Sequence, residues 1–166
     1  MSSPITLLLP LEPKGCPRPR AVIRGDHAGT YTDKGYQKWQ AEAVAAITDR
    51  LVGRDVAWLS LGCRAHIEAV FPRTKSPQDG YTAKEWRGGP RVRRLSSPDA
   101  DNVWKAAIDA LQIALRDRLA QPFDDRVVEG GAVDRWYAAA GERPSLRIVL
   151  VSLPLDNPMD KSGGAP

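Results

Sequence analysis

The segment from Ser97 to Leu111 decides the fold and reads SPDADNVWKAAIDAL. It places Asp99 and Asp101 one residue apart and Lys105 four positions after the second aspartate, and the acidic pair Asp124-Asp125 follows it. Carboxylate oxygens are the ligands that Mg²⁺ prefers, and a lysine nearby adds a positive charge suited to phosphate. The pattern therefore predicts a divalent-metal site that handles phosphate.

The same stretch predicts an α-helix from Asn102 to Leu115. Its apolar residues recur at helical spacing and form one stripe that faces a core, namely Trp104, Ile108, Leu111 and Leu115. Ser97 or an aspartate can cap the N-terminus of this helix. Asp101 and Lys105 would then project one turn apart at the margin of the buried face. A carboxylate placed there is held by packing and still reaches solvent.

Other patterns compete for these residues. An aspartate and a lysine four positions apart commonly form a surface salt bridge, and acidic pairs are frequent in turns. D-x-D-x-V also occurs in phosphatases of the haloacid dehalogenase type, but there it follows a buried strand, whereas residues 91–96 read RVRRLS here. An EF-hand loop would not place Val103 and Trp104 at its fifth and sixth positions. A glycosyltransferase would need a glycine-rich nucleotide-binding turn, which the sequence lacks.

The stretch resembles the RusA-type Holliday junction resolvases, small endodeoxyribonucleases of bacteria and their phages. The family pattern is D-x-D-N, then a helix that contains Lys-Ala and ends in D-A-L, then D-D-x-x-V. The matching positions here are residues 99–102, 105–106, 109–111 and 124–128. The layout of the chain fits the family to about Ser152.

The resemblance implies roles for individual residues. Asp99, Asp101 and Asp125 correspond to metal-binding catalytic carboxylates, and Lys105 corresponds to a catalytic cation. Asp124 is a further candidate metal ligand. The implied cofactor is Mg²⁺, for which Mn²⁺ can substitute, and the implied partner is four-way branched DNA.

The activity expected from this resemblance is the resolution of Holliday junctions by paired phosphodiester hydrolysis. Paired nicks in opposing strands need two sites, and one small chain carries one, so we expect a homodimer. Two alternatives remain open. One is a catalytically silent DNA-binding protein of the same fold, and the other is a D-x-D phosphatase of the haloacid dehalogenase type.

Composition indicates one folded domain. The chain has 166 residues, of which 42% are hydrophobic, enough for a core. Cys16 and Cys63 are far apart, and His27 and His66 lack the spacing of metal ligands, so we expect neither zinc nor a structural disulfide. The sequence shows neither a signal-peptide pattern nor a long apolar run. We therefore expect a cytoplasmic protein, in a bacterium or a phage-infected cell, with no membrane partner.

Hydropathy patterns predict an α+β fold of the RusA-like type, a single domain with a mixed sheet of about four strands and two main helices. The predicted strands cover residues 5–10, 56–71, 126–137 and 144–151, and a first helix runs from about residue 33 to Leu51. Gly130 and Gly131 inside the third strand predict a β-bulge. We expect the domain to span residues 1–153 and residues 154–166 to form a disordered tail.

Two basic segments are the predicted DNA-binding surface, because lysine and arginine neutralise the phosphate backbone. The N-terminal basic segment, residues 14–24, contains no acid and has four cations, Lys14, Arg18, Arg20 and Arg24. The basic loop, residues 72–97, has DNA-binding candidates at Arg73, Lys75, Arg91, Arg93 and Arg94. Tyr81 and Trp86 of this loop are expected to stack on exposed bases. A solvated surface is the alternative for both segments.

Overall fold

The computed structural model of the chain describes residues 3–18, 20–24, 27–31, 33–87, 89–119, 121, 123 and 125–153. Asp124 and the predicted tail, residues 154–166, lie outside the described residues. The side chains of Arg20, Arg24 and Asp125 also lie outside them.

The described residues form seven strands and three α-helices. The strands are β1 (Ile5–Leu9), β2 (Arg20–Arg24), β3 (His27–Tyr31), β4 (Cys63–Phe71), β5 (Val92–Arg93), β6 (Val128–Tyr137) and β7 (Ser145–Ser152). The helices are α1 (Lys34–Arg50), α2 (Ala83–Trp86) and α3 (Ala100–Leu115). Five strands form one mixed sheet in the order β1-β7-β4-β6-β5, and β2 pairs with β3 separately. Within the five-stranded sheet, β4 and β6 are parallel and the other pairs are antiparallel.

The predicted α+β class with a mixed sheet is confirmed, and the sheet has five strands where about four were expected. The additional strand, β5, pairs Val92 with Tyr137 and Arg93 with Trp136. A strand of two residues shows no alternation, so sequence periodicity could not reveal it. The β2–β3 pair lies where only an extended segment was expected.

Helices α1 and α3 pack on each other and on one face of the sheet, where they enclose the core. Alternate residues of each strand point to this face. In β7 these are Leu146, Ile148 and Leu150, and all three are buried, as predicted. Helix α1 begins after Asp33, whose carboxylate accepts the Tyr36 N–H at 2.8 Å. Among the described residues, no helix combines the length and apolarity needed to cross a bilayer.

The predicted strand from Val56 to Phe71 is wrong in its first part. Ala57–Leu61 forms a 3₁₀ helix, and β4 starts only at Cys63. Between these elements Gly62 has a φ of 108°, a conformation that glycine adopts without a steric penalty, so the chain changes direction there. Strand alternation over residues 56–71 would place Leu61 on the same side as Cys63, which is buried, but Leu61 is 68% exposed.

The predicted bulge in β6 is confirmed, and it lies against α3. Cys63 pairs with Val128 but Ala65 pairs with Gly131, so β6 has one extra residue over this length. A Cβ atom on Gly131 would lie 1.9 Å from the carbonyl oxygen of Ala65 and 2.5 Å from the ring of Trp104. Helix α3 therefore contacts β6 at a place where only glycine fits.

Candidate metal site and DNA-binding surface

The N-terminus of α3 presents two carboxylates to solvent. Asp99 is the N-cap residue, and its carbonyl oxygen accepts the Val103 N–H at 3.1 Å. Aspartate at this position commonly caps the helix with its side chain, yet the Asp99 carboxylate makes no capping hydrogen bond within the described first turn. Asp101 lies in that turn, and both side chains are exposed. The positive end of the helix dipole stabilises negative charge here, and the carboxylates remain available for a cation.

Two arginines hold the turn that leads into α3. Arg135 of β6 donates from Nη1 to the carbonyl oxygens of Ser96, at 3.0 Å, and Pro98, at 2.7 Å. Arg94 donates from Nη2 to the carbonyl oxygen of Ser97. The Ser97–Pro98 peptide bond is cis. Three successive carbonyl oxygens therefore bind guanidinium groups, which fixes the backbone immediately before the first carboxylate.

The start of the N-terminal basic segment lies directly on α3. The Cys16 N–H donates to the carbonyl oxygen of Asn102 at 2.8 Å. Gly15 is so close to the turn before α3 that a Cβ atom on it would lie 2.5 Å from the Cβ of Pro98. This contact places the segment beside the two candidate metal ligands.

Lys14 and Arg18 flank that contact, and both side chains are exposed. The segment is also attached to α1, because Trp39 donates from Nε1 to the carbonyl oxygen of Glu12 at 2.9 Å and Lys14 donates from Nζ to that of Gly35 at 3.3 Å. The structure therefore brings two of the predicted DNA-binding cations next to the helix that carries the carboxylates.

Lys105 forms an ion pair with Asp109 along α3. The Lys105 Nζ lies 3.2 Å from Oδ1 of Asp109, and the lysine side chain is 63% exposed. Lys105 is also four residues after Asp101, so it lies on the same side of the helix as that carboxylate. An exposed pair at this spacing contributes only about 0.3–0.5 kcal/mol. Such a pair is weak enough to be exchanged for a bound phosphate.

Asp125 is described by its backbone alone. It starts the 3₁₀ helix Asp125–Val127, which leads into β6, and the nearby Phe123 is fully buried. The roles of Asp124 and of the Asp125 side chain stay predictions. Within the part of the chain that the structure describes, no three acidic, histidine or cysteine side chains are grouped to hold a metal. Asp99 and Asp101 fit the oxygen chemistry of Mg²⁺, but they are only part of a complete ligand set.

Arg91 joins the basic loop to two acidic side chains. Its Nη1 lies 3.0 Å from Oε1 of Glu68, and its Nε donates to Oε1 of Glu142 at 2.8 Å. The hydrogen bond from Arg91 holds the pKa of Glu142 below its usual range, and the bond to Glu142 raises the pKa of Arg91. A cation already matched by two carboxylates attracts phosphate weakly. DNA contact by Arg91 stays a prediction.

The other four predicted DNA-binding cations of the basic loop differ in how far their side chains are exposed. Arg73 donates to two carbonyl oxygens of the loop, and the guanidinium of Arg94 lies 4.1 Å from the centre of the Phe71 ring. Arg93 pairs with Asp134, with 3.6 Å between Nη2 and Oδ1, yet its side chain is 63% exposed, and Lys75 is exposed as well. DNA contact by these four residues stays a prediction, and the exposure favours Arg93 and Lys75.

The basic loop contains the short helix α2, which was not predicted. Thr82 and Glu85 form a capping box at the start of α2. Trp86 is 2% exposed, its ring centre lies 4.7 Å from that of Tyr137, and its Nε1 donates to the carbonyl oxygen of Thr74 at 2.8 Å. The prediction that Trp86 stacks on DNA bases is therefore wrong. The spacing of Thr82 and Glu85 is typical of a capping box and is the sequence signal for α2, a helix that was not predicted.

Two residues that position the site were not predicted. Asp79 accepts the N–H groups of Leu95, at 2.8 Å, and Ser96, at 3.1 Å. Arg135 holds the other side of the same turn. Neither residue belongs to a local motif, and each acts on a part of the chain at least 16 positions away. No local sequence signal could have identified them.

The fold and the site together define a class of protein, an α+β protein with exposed carboxylates at a helix N-terminus and cations packed beside them. The family model of the endodeoxyribonuclease RusA matches residues 10–148 of the chain. The chain therefore belongs to the RusA endodeoxyribonuclease family, and the resemblance seen in the sequence is confirmed. Membership supports a nuclease of the Holliday junction resolvase type. A comparison with curated proteins finds no significant match.

Proposed function

We propose that the protein is a Mg²⁺-dependent endodeoxyribonuclease that cuts four-way DNA junctions by paired phosphodiester hydrolysis. The observation that carries this proposal is the exposed pair Asp99 and Asp101 at the start of α3, beside the N-terminal basic segment. Family membership supports the nuclease activity. Metal dependence and the choice of junctions are the additional elements of the proposal.

Asp99, Asp101 and Asp125 would hold the metal, with Asp124 as a further ligand. Mn²⁺ would support the same activity as Mg²⁺. When bound, the cation would supply positive charge for the phosphate and lower the pKa of a bound water. The two described carboxylates stand at a helix N-terminus whose backbone is fixed by hydrogen bonds, so they need little reorganisation to bind it.

Lysine and arginine side chains of the protein would bind the phosphates of the DNA. The ammonium group of Lys105 would exchange Asp109 for the scissile phosphate and stabilise the charge that develops there. Lys14 and Arg18 would bind phosphates that flank the cut. Because one chain carries one carboxylate site, paired nicks require two chains, and a two-fold homodimer matches a two-fold junction.

The test is a cleavage assay that compares a synthetic four-way junction with a linear duplex of the same sequence, in Mg²⁺ and in EDTA. We expect cleavage of the junction in Mg²⁺, no cleavage of the junction in EDTA, and no cleavage of the linear duplex in either condition. Asp101→Asn should abolish cleavage and keep junction binding within a few-fold, because it removes a ligand and a negative charge that faces DNA. Asp117→Asn, an exposed aspartate after the C-terminus of α3, is the matched control.

Three outcomes would contradict the proposal. Wild-type turnover by Asp101→Asn would refute the carboxylate assignment. Junction binding by the wild-type protein without cleavage in Mg²⁺ or in Mn²⁺ would favour the silent DNA-binding alternative. Full junction activity from a protein that sediments as a monomer at micromolar concentration would refute the homodimer.

A further inference from the structure

Leu95 is an apolar residue whose side chain is held in solvent close to the candidate metal site. Its side chain is 64% exposed, whereas its neighbours Arg94 and Ser96 are partly buried. Leu95 belongs to the segment that leads from β5 to Asp99, four residues further on. Four residues of extended chain span at most about 14 Å. The leucine is therefore within reach of the nucleotides that flank a phosphate bound at Asp99.

Hydrogen bonds fix the backbone on both sides of this side chain. The N–H groups of Leu95 and Ser96 donate to the Asp79 carboxylate, at 2.8 Å and 3.1 Å. The carbonyl oxygens of residues 96–98 accept from the guanidinium groups described above. A backbone that is already fixed loses little further conformational entropy when its side chain packs against a ligand. Leu95 is therefore preorganised for a contact outside the protein.

Arg93 provides a cation beside Leu95. Exposed and partly buried residues alternate from Arg93 to Leu95, so these two side chains project from the same side of the chain. The Arg93 guanidinium lies 5.8 Å from the centre of the Trp136 ring, its partner across the β5–β6 pair. Its side chain is 63% exposed despite the ion pair with Asp134. A cation and an apolar group thus lie side by side in solvent.

The chemistry of this surface fits a nucleotide whose base has lost a stacking neighbour. Leucine binds neither a metal nor a phosphate, but it packs well against the flat face that every base carries. In a linear duplex these faces are covered by stacking, and at a branch point the stacking is interrupted. Leucine is one of the side chains that DNA-bending proteins insert between base steps. An arginine beside it can bind a phosphate of the same strand.

We infer that Leu95 packs against a base that is unstacked at the branch point of the DNA bound at Asp99 and Asp101, while Arg93 binds an adjacent phosphate. The inference rests on the proposed function, which brings branched DNA to this end of α3. Insertion into a linear duplex must first separate two stacked bases, at a cost in free energy. Leu95 would therefore help to select four-way junctions over linear DNA.

The test measures binding in EDTA to a synthetic four-way junction and to a linear duplex of the same sequence. Leu95→Ala should weaken junction binding about three- to thirtyfold, because it removes most of a buried apolar contact, and should leave duplex binding unchanged. Leu95→Met keeps the apolar volume and should bind both DNAs as the wild type does. Leu8→Ala truncates a 54% exposed leucine of β1 and is the matched control.

A fluorescent base gives a second readout that a loss of stability would not reproduce. The base analogue 2-aminopurine fluoresces more strongly when it is unstacked. With this analogue at the branch point and saturating protein, we expect a larger rise in fluorescence from the wild type than from Leu95→Ala. Exposed positions contribute little to stability, so the two proteins should have nearly the same Tm.

Two results would overturn the inference and leave the proposed function intact. One is an equal ratio of junction to duplex affinity in Leu95→Ala and in a wild-type protein that cuts junctions. The other is the same rise in fluorescence from both proteins. Absence of junction binding and cleavage by the wild type would overturn both the inference and the proposed function.

Discussion

Nη1 of Arg135 lies 2.7 Å from the carbonyl oxygen of Pro98, the residue immediately before the first candidate metal ligand. Arg135 belongs to β6 and stands 37 positions after Pro98 in the chain. The same nitrogen binds the Ser96 carbonyl oxygen, so one side chain of the sheet fixes two peptide groups of the turn. The position of the carboxylates at the start of α3 therefore depends on the sheet as well as on the helix.

Replacement of Arg135 should impair catalysis more than folding. Arg135→Met keeps much of the apolar stem and removes both hydrogen bonds, so we expect kcat to fall at least tenfold and the Mg²⁺ concentration for half-maximal rate to rise. The cost in stability should be about 1–3 kcal/mol. Arg135→Lys should restore part of the rate, since it keeps a donor. Arg147→Met, at an exposed position of β7, is the control. If the folded fraction of Arg135→Met keeps the wild-type kcat and Mg²⁺ dependence, Arg135 contributes to stability and not to the position of the carboxylates.

Lys105 should contribute to rate and hardly to stability. Lys105→Ala is expected to lower the single-turnover rate by about 10²-fold or more, because it removes one electrostatic contact to the transition state. Asp109→Asn breaks the same ion pair but keeps the lysine, so it should cut at close to the wild-type rate. Equal losses in the two variants would show that the ion pair, and not the free ammonium group, is what matters.

The cations beside α3 should determine the salt dependence of DNA binding. Each phosphate that a lysine or arginine neutralises contributes about 0.9 to the slope of log K against log salt. Replacing Lys14 and Arg18 together with alanine should therefore lower that slope by up to about 1.8. The matched control replaces Arg54 and Arg116, which lie toward the other end of α3, where Arg118 binds the Leu51 carbonyl oxygen. Equal slopes in both double variants would indicate that the N-terminal basic segment is a solvated surface.

The contact between Arg91 and Glu142 should appear in the pH dependence of stability. A carboxyl group whose pKa is lowered on folding stabilises the protein above its unfolded pKa, here 4.5, and this stabilisation is lost as the pH falls through the folded value. We expect Arg91→Met to have a lower Tm than wild type at pH 7 and a smaller difference at pH 3. A difference in Tm that is constant from pH 7 to pH 3 would contradict this assignment.

Chemistry that is local in sequence could be predicted, and contacts between distant segments could not. The start of the first helix near residue 33 and the bulge at Gly130 and Gly131 follow from residue type and neighbours, and both are found. Leu61 was misplaced because residues 57–61 form a 3₁₀ helix and the strand starts only after Gly62. Trp86 was misplaced because its burial depends on Tyr137, far along the chain. The role of Arg135 depends on the pairing of strands, which one sequence does not reveal. The prediction for the Asp125 carboxylate concerns a side chain outside the described residues.

The hydrogen bond from the Cys16 N–H to the Asn102 carbonyl oxygen couples the N-terminal basic segment to α3 as one unit. If Lys14 holds a phosphate, the number of nucleotides between that phosphate and the bond cut near Asp99 is then constant from one junction to the next. Side-chain substitutions leave this spacing unchanged, because both bonded atoms belong to the backbone. Cys16→Pro would remove the N–H that donates to Asn102. The cuts made by this variant would then spread over neighbouring nucleotides.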